Sequence, residues 1–314
     1  MNFIDNLMAW TKSLSWEQSL ILIFVIFIFC EWLVGRMSKL KIHNLHDSLR
    51  NVAIGAVSFA GDFLFTILTL PVWIYLFHHI RLFEFEQGGA FMFIVLFILL
   101  DFSEYWFHRL SHRVNLLWQA HVVHHQSNFF NLTVGLRTSL FVPLFNIFFY
   151  SLFPLLGFDP EHVMLVILIQ GIYQLFIHTE LVGKLGFLEY LIVTPSAHRV
   201  HHGKNQLYLD KNYGKFLIVW DQLFGTWQRE TEQVEFGITK PMEKQGVVYS
   251  MMEPFRNLFK AMRLVKNIRA WRILLFKSPT VAGKLQEALM EKAQMQRSYG
   301  NDGSTQECTT FKGF

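Results

Sequence analysis

The sequence predicts an all-α integral membrane protein of about four to five transmembrane helices, with a cytoplasmic helical cap holding a histidine-rich dimetal site. Three observations lead there. Of 314 residues, 52% are hydrophobic and only 17% are charged, where a soluble domain would carry about a quarter charged, and the mean hydropathy is +0.28. The apolar residues, 33 Phe among them, gather in runs of bilayer length. Most of the 14 histidines fall in three tight boxes. The composition argues against a water-soluble enzyme. Cys30, in an apolar run, and Cys308, in a polar tail, cannot build a disulfide framework or a cysteine zinc site, so any metal rests on His, Asp or Glu. The formal charge is +4, but the basic residues lie beside apolar segments. Anionic lipid headgroups, and no nucleic acid, are therefore the expected partners.

Five apolar runs follow in order: Leu20 to Gly35, Val52 to Phe77, Ala90 to Phe107, Leu140 to Phe158 and His162 to Ile177. The first lacks a basic n-region and a small-residue cleavage site, so it reads as a retained helix. Arg36, Lys39, Lys41 and Arg50 follow the first run, Arg109, Arg113 and Arg137 follow the third, and the opposite loops hold only Lys12 and Arg81. The positive-inside rule then puts the N-terminus outside and the C-terminus in the cytoplasm. Gly157-Phe158-Asp159-Pro160 is so short a link that the fourth and fifth runs form either two full spans or a re-entrant pair. From Glu253 to Phe276, Arg256, Lys260, Arg263 and Lys266 interleave with Phe255, Leu258, Phe259, Met262 and Val265. This reads as a basic amphipathic helix, lying on the cytoplasmic leaflet or packed on the protein's own cap. The expected divisions are residues 1–90 for the N-terminal transmembrane helices, 91–228 for a catalytic domain, 229–296 for a basic amphipathic region and 297–314 for a disordered tail.

His108 and His112 form HxxxH; His121, His124 and His125 form HxxHH; His198, His201 and His202 form a second HxxHH. Spacings of three and four put side chains on one helix face with β-carbons about 5–6 Å apart, which suits metal ligation. One HxxxH is often a coincidence of a polar helix face. Three boxes on one predicted side of the membrane are not, and eight imidazoles divide naturally between two metals. His178 ends the fifth run at the depth where His108 ends the third, either as a ninth ligand or as an interfacial histidine bonded to a carbonyl. His78, His79 and His162 belong to the outer interface, and His43 and His46 to the surface. In the third run Asp101, Glu104, His108 and His112 lie within about 80° of one another at 100° per residue. Acidic groups inside an apolar helix need partners. Asp101 or Glu104 either accepts the second ring N–H of a ligand histidine or pairs with another helix, at Gln170 or Gln174.

The strings FHRLSH, HVVHHQSNFFNLTVGLRTS, FIHTE, TPSAHRVHHGKNQLYLDKNYG and WDQLFGT resemble, in order and spacing, the alkylglycerol monooxygenase-like branch of the fatty acid hydroxylase, or sterol desaturase, superfamily. The likeness covers roughly Asp101 to Gly225. It implies a helical membrane bundle with a cytoplasmic cap, two iron ions, molecular oxygen as co-substrate and a membrane lipid substrate. A reduced pterin or a redox protein would donate electrons. By matching position the eight box histidines are the iron ligands, His178 with Glu180 is the family's HTE element, and Asp210, Asn212, Tyr213 and Asp221 fall in its post-box segment. The catalytic candidates are then Glu104, Asp101 and Glu180. After the middle box the branch commonly has an acidic residue where this chain reads Gln126, Ser127, Asn128, a departure that concerns the headgroup and the electron donor and leaves the metal ligands untouched.

An all-histidine set fits oxygen activation and attack on an unactivated C–H bond, by hydroxylation near a lipid headgroup, by ether cleavage or by desaturation. A metal transporter would need ligands along a path across the bilayer. A zinc hydrolase would be expected to carry HExxH or a comparable motif, and the boxes contain no Glu. The expected location is a bacterial inner membrane rather than the endoplasmic reticulum, with the boxes facing the cytoplasm.

Overall fold

Each apolar run becomes a helix in the computed structural model, which describes residues 15–85, 89–240, 242, 244 and 246–301. Helix α1, Trp16–Met37, starts at a capping box in which Ser15 and Gln18 each accept the other's backbone N–H. Its outward residues, such as Ile21 and Phe29, are exposed, as a lipid-facing helix requires. Helix α2, Leu45–Tyr75, is capped by Asn44 and continues as a π-turn over Leu76–Ile80. At 31 residues it is about 47 Å long, well beyond the expected run, because its first turns carry Asp47 and Asn51 inward to polar partners. Helix α3, Ala90–Arg113, turns at Val114 directly into α4, Asn115–His125, and a 3-10 turn follows at Leu132–Leu136.

These first three helices are long and apolar enough to cross a membrane. The fourth and fifth runs form shorter ones: α5, Val142–Tyr150, continued by α6, Leu152–Leu156, and α7, Pro160–Phe176. At 17 residues α7 spans about 26 Å, less than a hydrocarbon core of about 30 Å. The link from α6 to α7 depends on Gly157, whose φ of 107° and closeness to the Phe83 carbonyl leave no room for a Cβ. Trp73, Leu96, Leu100, Phe153, Phe158, Val163 and Val166 fill the interior among α2, α3, α6 and α7. In lipid such packing, rather than water exclusion, holds helices together.

Beyond the bundle come α8, Pro195–His202, α9, Val219–Leu223, α10, Val247–Arg263, α11, Ile268–Phe276 and α12, Pro279–Asn301. The single basic helix expected from Glu253 to Phe276 is two helices, broken where Asn267 caps α11. Part of its apolar side packs on the protein itself, with Met251, Phe255, Leu258, Ala261 and Leu274 buried, while Phe259, Leu264, Ile268, Trp271 and Phe276 stay exposed. The tail expected from residue 297 begins inside α12, and its remainder, with Cys308, lies outside the described residues, as does Lys12.

Candidate metal centre

Four segments converge at one end of the bundle: the last turns of α3, the whole of α4, the residues just after α7, and α8. They bring nine histidines into two groups. His108, His112, His121, His125 and His201 form one, and His124, His178, His198 and His202 the other, with the ligand atoms of each group within 4.8 Å of one another. Helix geometry explains why each HxxHH divides. Residues i and i+4 are about 40° apart around the axis, whereas i+3 lies about 60° to the other side of i. His121 and His125 therefore face one group and His124 the other; His198 and His202 share a group while His201 is turned to its neighbour.

The ring nitrogens are set by backbone carbonyls. His108 Nδ1 donates to Tyr213 O at 2.8 Å, His124 Nδ1 to Arg137 O at 2.7 Å, His178 Nδ1 to Gln174 O at 2.6 Å and His201 Nδ1 to Lys211 O at 3.0 Å. A carbonyl can only accept, so in a neutral ring Nε2 keeps a lone pair. The Nε2 atoms then face each other: His108 to His121 at 3.1 Å, His121 to His125 at 3.1 Å, His124 to His178 at 3.2 Å, and His178 to His198 at 2.9 Å. His124 and His178 cannot both be neutral and bond one another, because both protons are committed elsewhere. His112 Nε2 and His201 Nε2 are buried with no partner at all. Burial pushes His124 down to about 4, and burial, then neighbouring imidazoles, holds His121, His125, His178, His198, His201 and His202 well below the usual histidine range. Uncharged, converging, unsatisfied nitrogens are the donor set that a transition-metal ion completes. The spacing also fits: donors on adjacent positions of one ion, with bonds of about 2.1 Å, lie about 3 Å apart.

The acidic candidates are not brought to the histidines. Asp101 accepts Phe216 N at 2.8 Å, Leu217 N at 3.0 Å and Trp220 Nε1 at 2.9 Å, and so ties the segment before α9 to α3. Glu104 takes the Tyr150 hydroxyl and Lys215 Nζ, the latter at 3.1 Å. The second nitrogen of His108, expected to need a carboxylate, already has the Tyr213 carbonyl. Gln170 and Gln174 do not pair with these acids either, since they donate to Phe97 O and Lys215 O. Glu180 is exposed, while its neighbour Thr179 donates to Glu31 of α1. His43, expected on the surface, lies 3.2 Å from that same Glu31.

Two anchors hold partners that the sequence did not foretell, Arg137 and Asp221, the latter placed there only in the post-box segment. Arg137, counted there as a loop charge, is only 2% exposed; it donates to Val123 O, Asn51 Oδ1 and Gln126 Oε1 while its own carbonyl holds His124. Gln126, at the departure from the branch pattern, is thereby occupied with Arg137, and Ser127 with the buried carboxylate of Asp47 at 2.6 Å. Asp221 accepts Tyr213 N and Gly214 N, both at 2.7 Å, and the Thr226 hydroxyl at 2.6 Å. It fixes the peptide whose carbonyl orients His108.

A polyhistidine centre at the end of membrane-length helices defines the class. Residues 93–226 match the family model for fatty acid hydroxylase, and the chain carries a fatty acid hydroxylase domain there. It is 40% identical over 199 residues to the alkylglycerol monooxygenase of Homo sapiens, covering 63% of this chain and 44% of that protein. To the alkylglycerol monooxygenase of Xenopus tropicalis it is 36% identical over 234 residues, covering 74% and 50%. To the ornithine lipid hydroxylase OlsE of Rhizobium tropici it is 29% identical over 170 residues, covering 53% and 51%. The chain spans about half the length of these relatives. No solved structure matches it.

Proposed function

We propose that the protein is a membrane-bound, di-iron, oxygen-dependent lipid monooxygenase that acts on a C–H bond near a lipid headgroup. The observation that carries this is the pairing of two histidine groups whose ring nitrogens converge, with the Nδ1 protons of His108, His124, His178 and His201 committed to backbone carbonyls and His112 Nε2 and His201 Nε2 left without a partner. His108, His112, His121, His125 and His201 would hold one ion, and His124, His178, His198 and His202 the other. Bound iron would supply the reduction of molecular oxygen by two external electrons and two protons, so that one oxygen atom enters the C–H bond and the other leaves as water.

The chain's own residues orient and shield. The four carbonyls keep the Nδ1 protons in place, so the Nε2 lone pairs stay available. Phe130, fully buried, lies 5.1 to 6.1 Å from the rings of His178, His198 and His202 and stacks on Phe236, an apolar wall that keeps water from that group. Height favours the headgroup-proximal carbon. His108 and His112 occupy the last turns of a membrane-length helix, so a carbon beside an ether, amide or hydroxyl group reaches them while a mid-chain carbon would have to fold upward. The names of the relatives, alkylglycerol monooxygenase and ornithine lipid hydroxylase, support a lipid as the substrate class. Lipid extracts from cells with and without the protein, grown under labelled oxygen, test it by mass spectrometry. The expected product carries one labelled oxygen near the headgroup or has lost an ether chain; an unlabelled mid-chain double bond would overturn the proposal.

A further inference from the structure

We propose that Asn212 is a positioning residue serving one histidine group only: it holds the left-handed turn whose two flanking carbonyls orient His201 and His108. The inference rests on the metal-centre reading and concerns how one of the two ions is kept.

The carbonyl before Asn212, that of Lys211, accepts His201 Nδ1 at 3.0 Å, and the carbonyl after it, that of Tyr213, accepts His108 Nδ1 at 2.8 Å. Both histidines belong to the five-membered group, yet they sit on different helices, α8 and α3. Asn212 thus lies between the two residues whose carbonyls set the ring orientation of two ligands. Its φ is 53°, a region that asparagine enters more readily than most residues and that a β-carbon makes costly. Its side chain is fully buried and every polar atom is used. Nδ2 donates to Ala197 O at 3.0 Å and to Gln228 O at 2.8 Å, Oδ1 accepts Gln228 N at 2.8 Å, and its backbone N–H donates to Thr226 O at 3.0 Å. Ala197 is one turn before His201 on α8, so the amide pins the turn to the helix that carries the ligand it orients. The four-membered group takes its orienting carbonyls from Arg137 and Gln174, neither of which is bonded to Asn212; the segment touches Gln174 only further on, where the Gln174 amide donates to Lys215 O. Loss of the turn should therefore loosen one ion and spare the other.

Full-length protein in detergent, loaded with Fe²⁺ or with Co²⁺ as a spectroscopic stand-in, tests this through chelator competition and metal analysis. Asn212→Ala removes the amide and places a residue that resists positive φ. The expected result is that one ion is released about 10 to 100-fold more readily than in the parent protein, the usual cost of losing an outer partner of a ligand histidine, while the other is unchanged. The Co²⁺ absorption bands of one site alone should shift. Asn212→Gly keeps the turn's backbone freedom without the amide, so it should show a smaller loss of the same ion. It also carries the test if the alanine variant does not fold. Parent-like retention of both ions in both variants overturns the inference, as does a parallel loss of both ions, which would make Asn212 a general scaffold residue. A parent protein that binds no metal would instead overturn the metal-centre reading itself.

Discussion

At the level of single residues, the two groups differ in how much they can lose. The group of five keeps four donors when one is removed, and the group of four keeps three. His202→Ala should therefore release one of about two ions per chain, whereas His201→Ala should weaken its ion without always emptying the site. Metal analysis of both purified variants decides this, and an unchanged metal content in His202→Ala would remove it from the ligand set. A second residue governs stability through pH. Burial raises Asp221 from 3.8 to about 6, against the donors of Thr226, Tyr213 and Gly214. Between those values the native protein holds a proton that the unfolded chain has lost. Its contribution is thus greatest below about pH 4 and falls as pH rises through 6, by roughly 3 kcal/mol for a shift of about two units. Asp221→Asn does not titrate, so melting curves should show the parent losing stability relative to the variant between pH 4 and 7. The depressed histidines push the other way in both proteins and cancel in the comparison. A parent that gains on the variant across that range would contradict the assignment.

Among the elements, close approach does as much as hydrogen bonding. The 3-10 turn at Leu132–Leu136 lies so near the end of α7 that a Cβ on Gly135 would meet His178 Nδ1 at 3.1 Å and Leu175 Cα and O at 3.2 Å. Gly135→Ala asks those neighbours to give by a few tenths of an ångström. Gly135→Val pushes harder on the ring that the four-membered group needs, and should weaken that ion about tenfold or more while leaving the five-membered group's ion in place. Equal retention of both ions in the valine variant would show that the turn can retreat. This also marks where the sequence was legible and where it was not. The boxes at 108–112, 121–125 and 198–202 are side-chain patterns and could be read directly, as could the apolar runs. Their orienting partners are the carbonyls of Tyr213, Arg137, Gln174 and Lys211, and a backbone carbonyl has no letter of its own. For Asp101 and Glu104 the sequence left a choice between a ligand histidine and another helix, because it could not foretell that the folded segment at 210–227 supplies a carbonyl to His108, backbone N–H groups to Asp101 and the Lys215 ammonium to Glu104. Arg137 looked like a loop charge because nothing local foretells that Asn51, from another helix, will meet it.

For the molecule as a whole, the helices agree on which end carries the histidines. Helix α1 finishes there, with Glu31 accepting Leu132 N at 2.9 Å; α2 begins there, with Asn51 bonded to Thr133 and Arg137; α3 finishes there with His108 and His112. His78 and His79 lie in the π-turn at the far end of α2. The same end collects Arg36, Lys39, Lys41, Arg50 and Arg113 and the basic helices α10 and α11. Burying Arg137 removes one charge from the original count but not the asymmetry, because the far loops retain few cations. By the positive-inside rule this end should face the cytoplasm. Gln206 is exposed in the loop after α8 and offers a probe that takes no part in the centre. With Cys30 and Cys308 replaced by Ser, Gln206→Cys should resist a membrane-impermeant thiol reagent in intact cells and react once the bilayer is opened. Reaction in intact cells would place the histidines on the opposite face, where the loop charges would no longer account for the orientation.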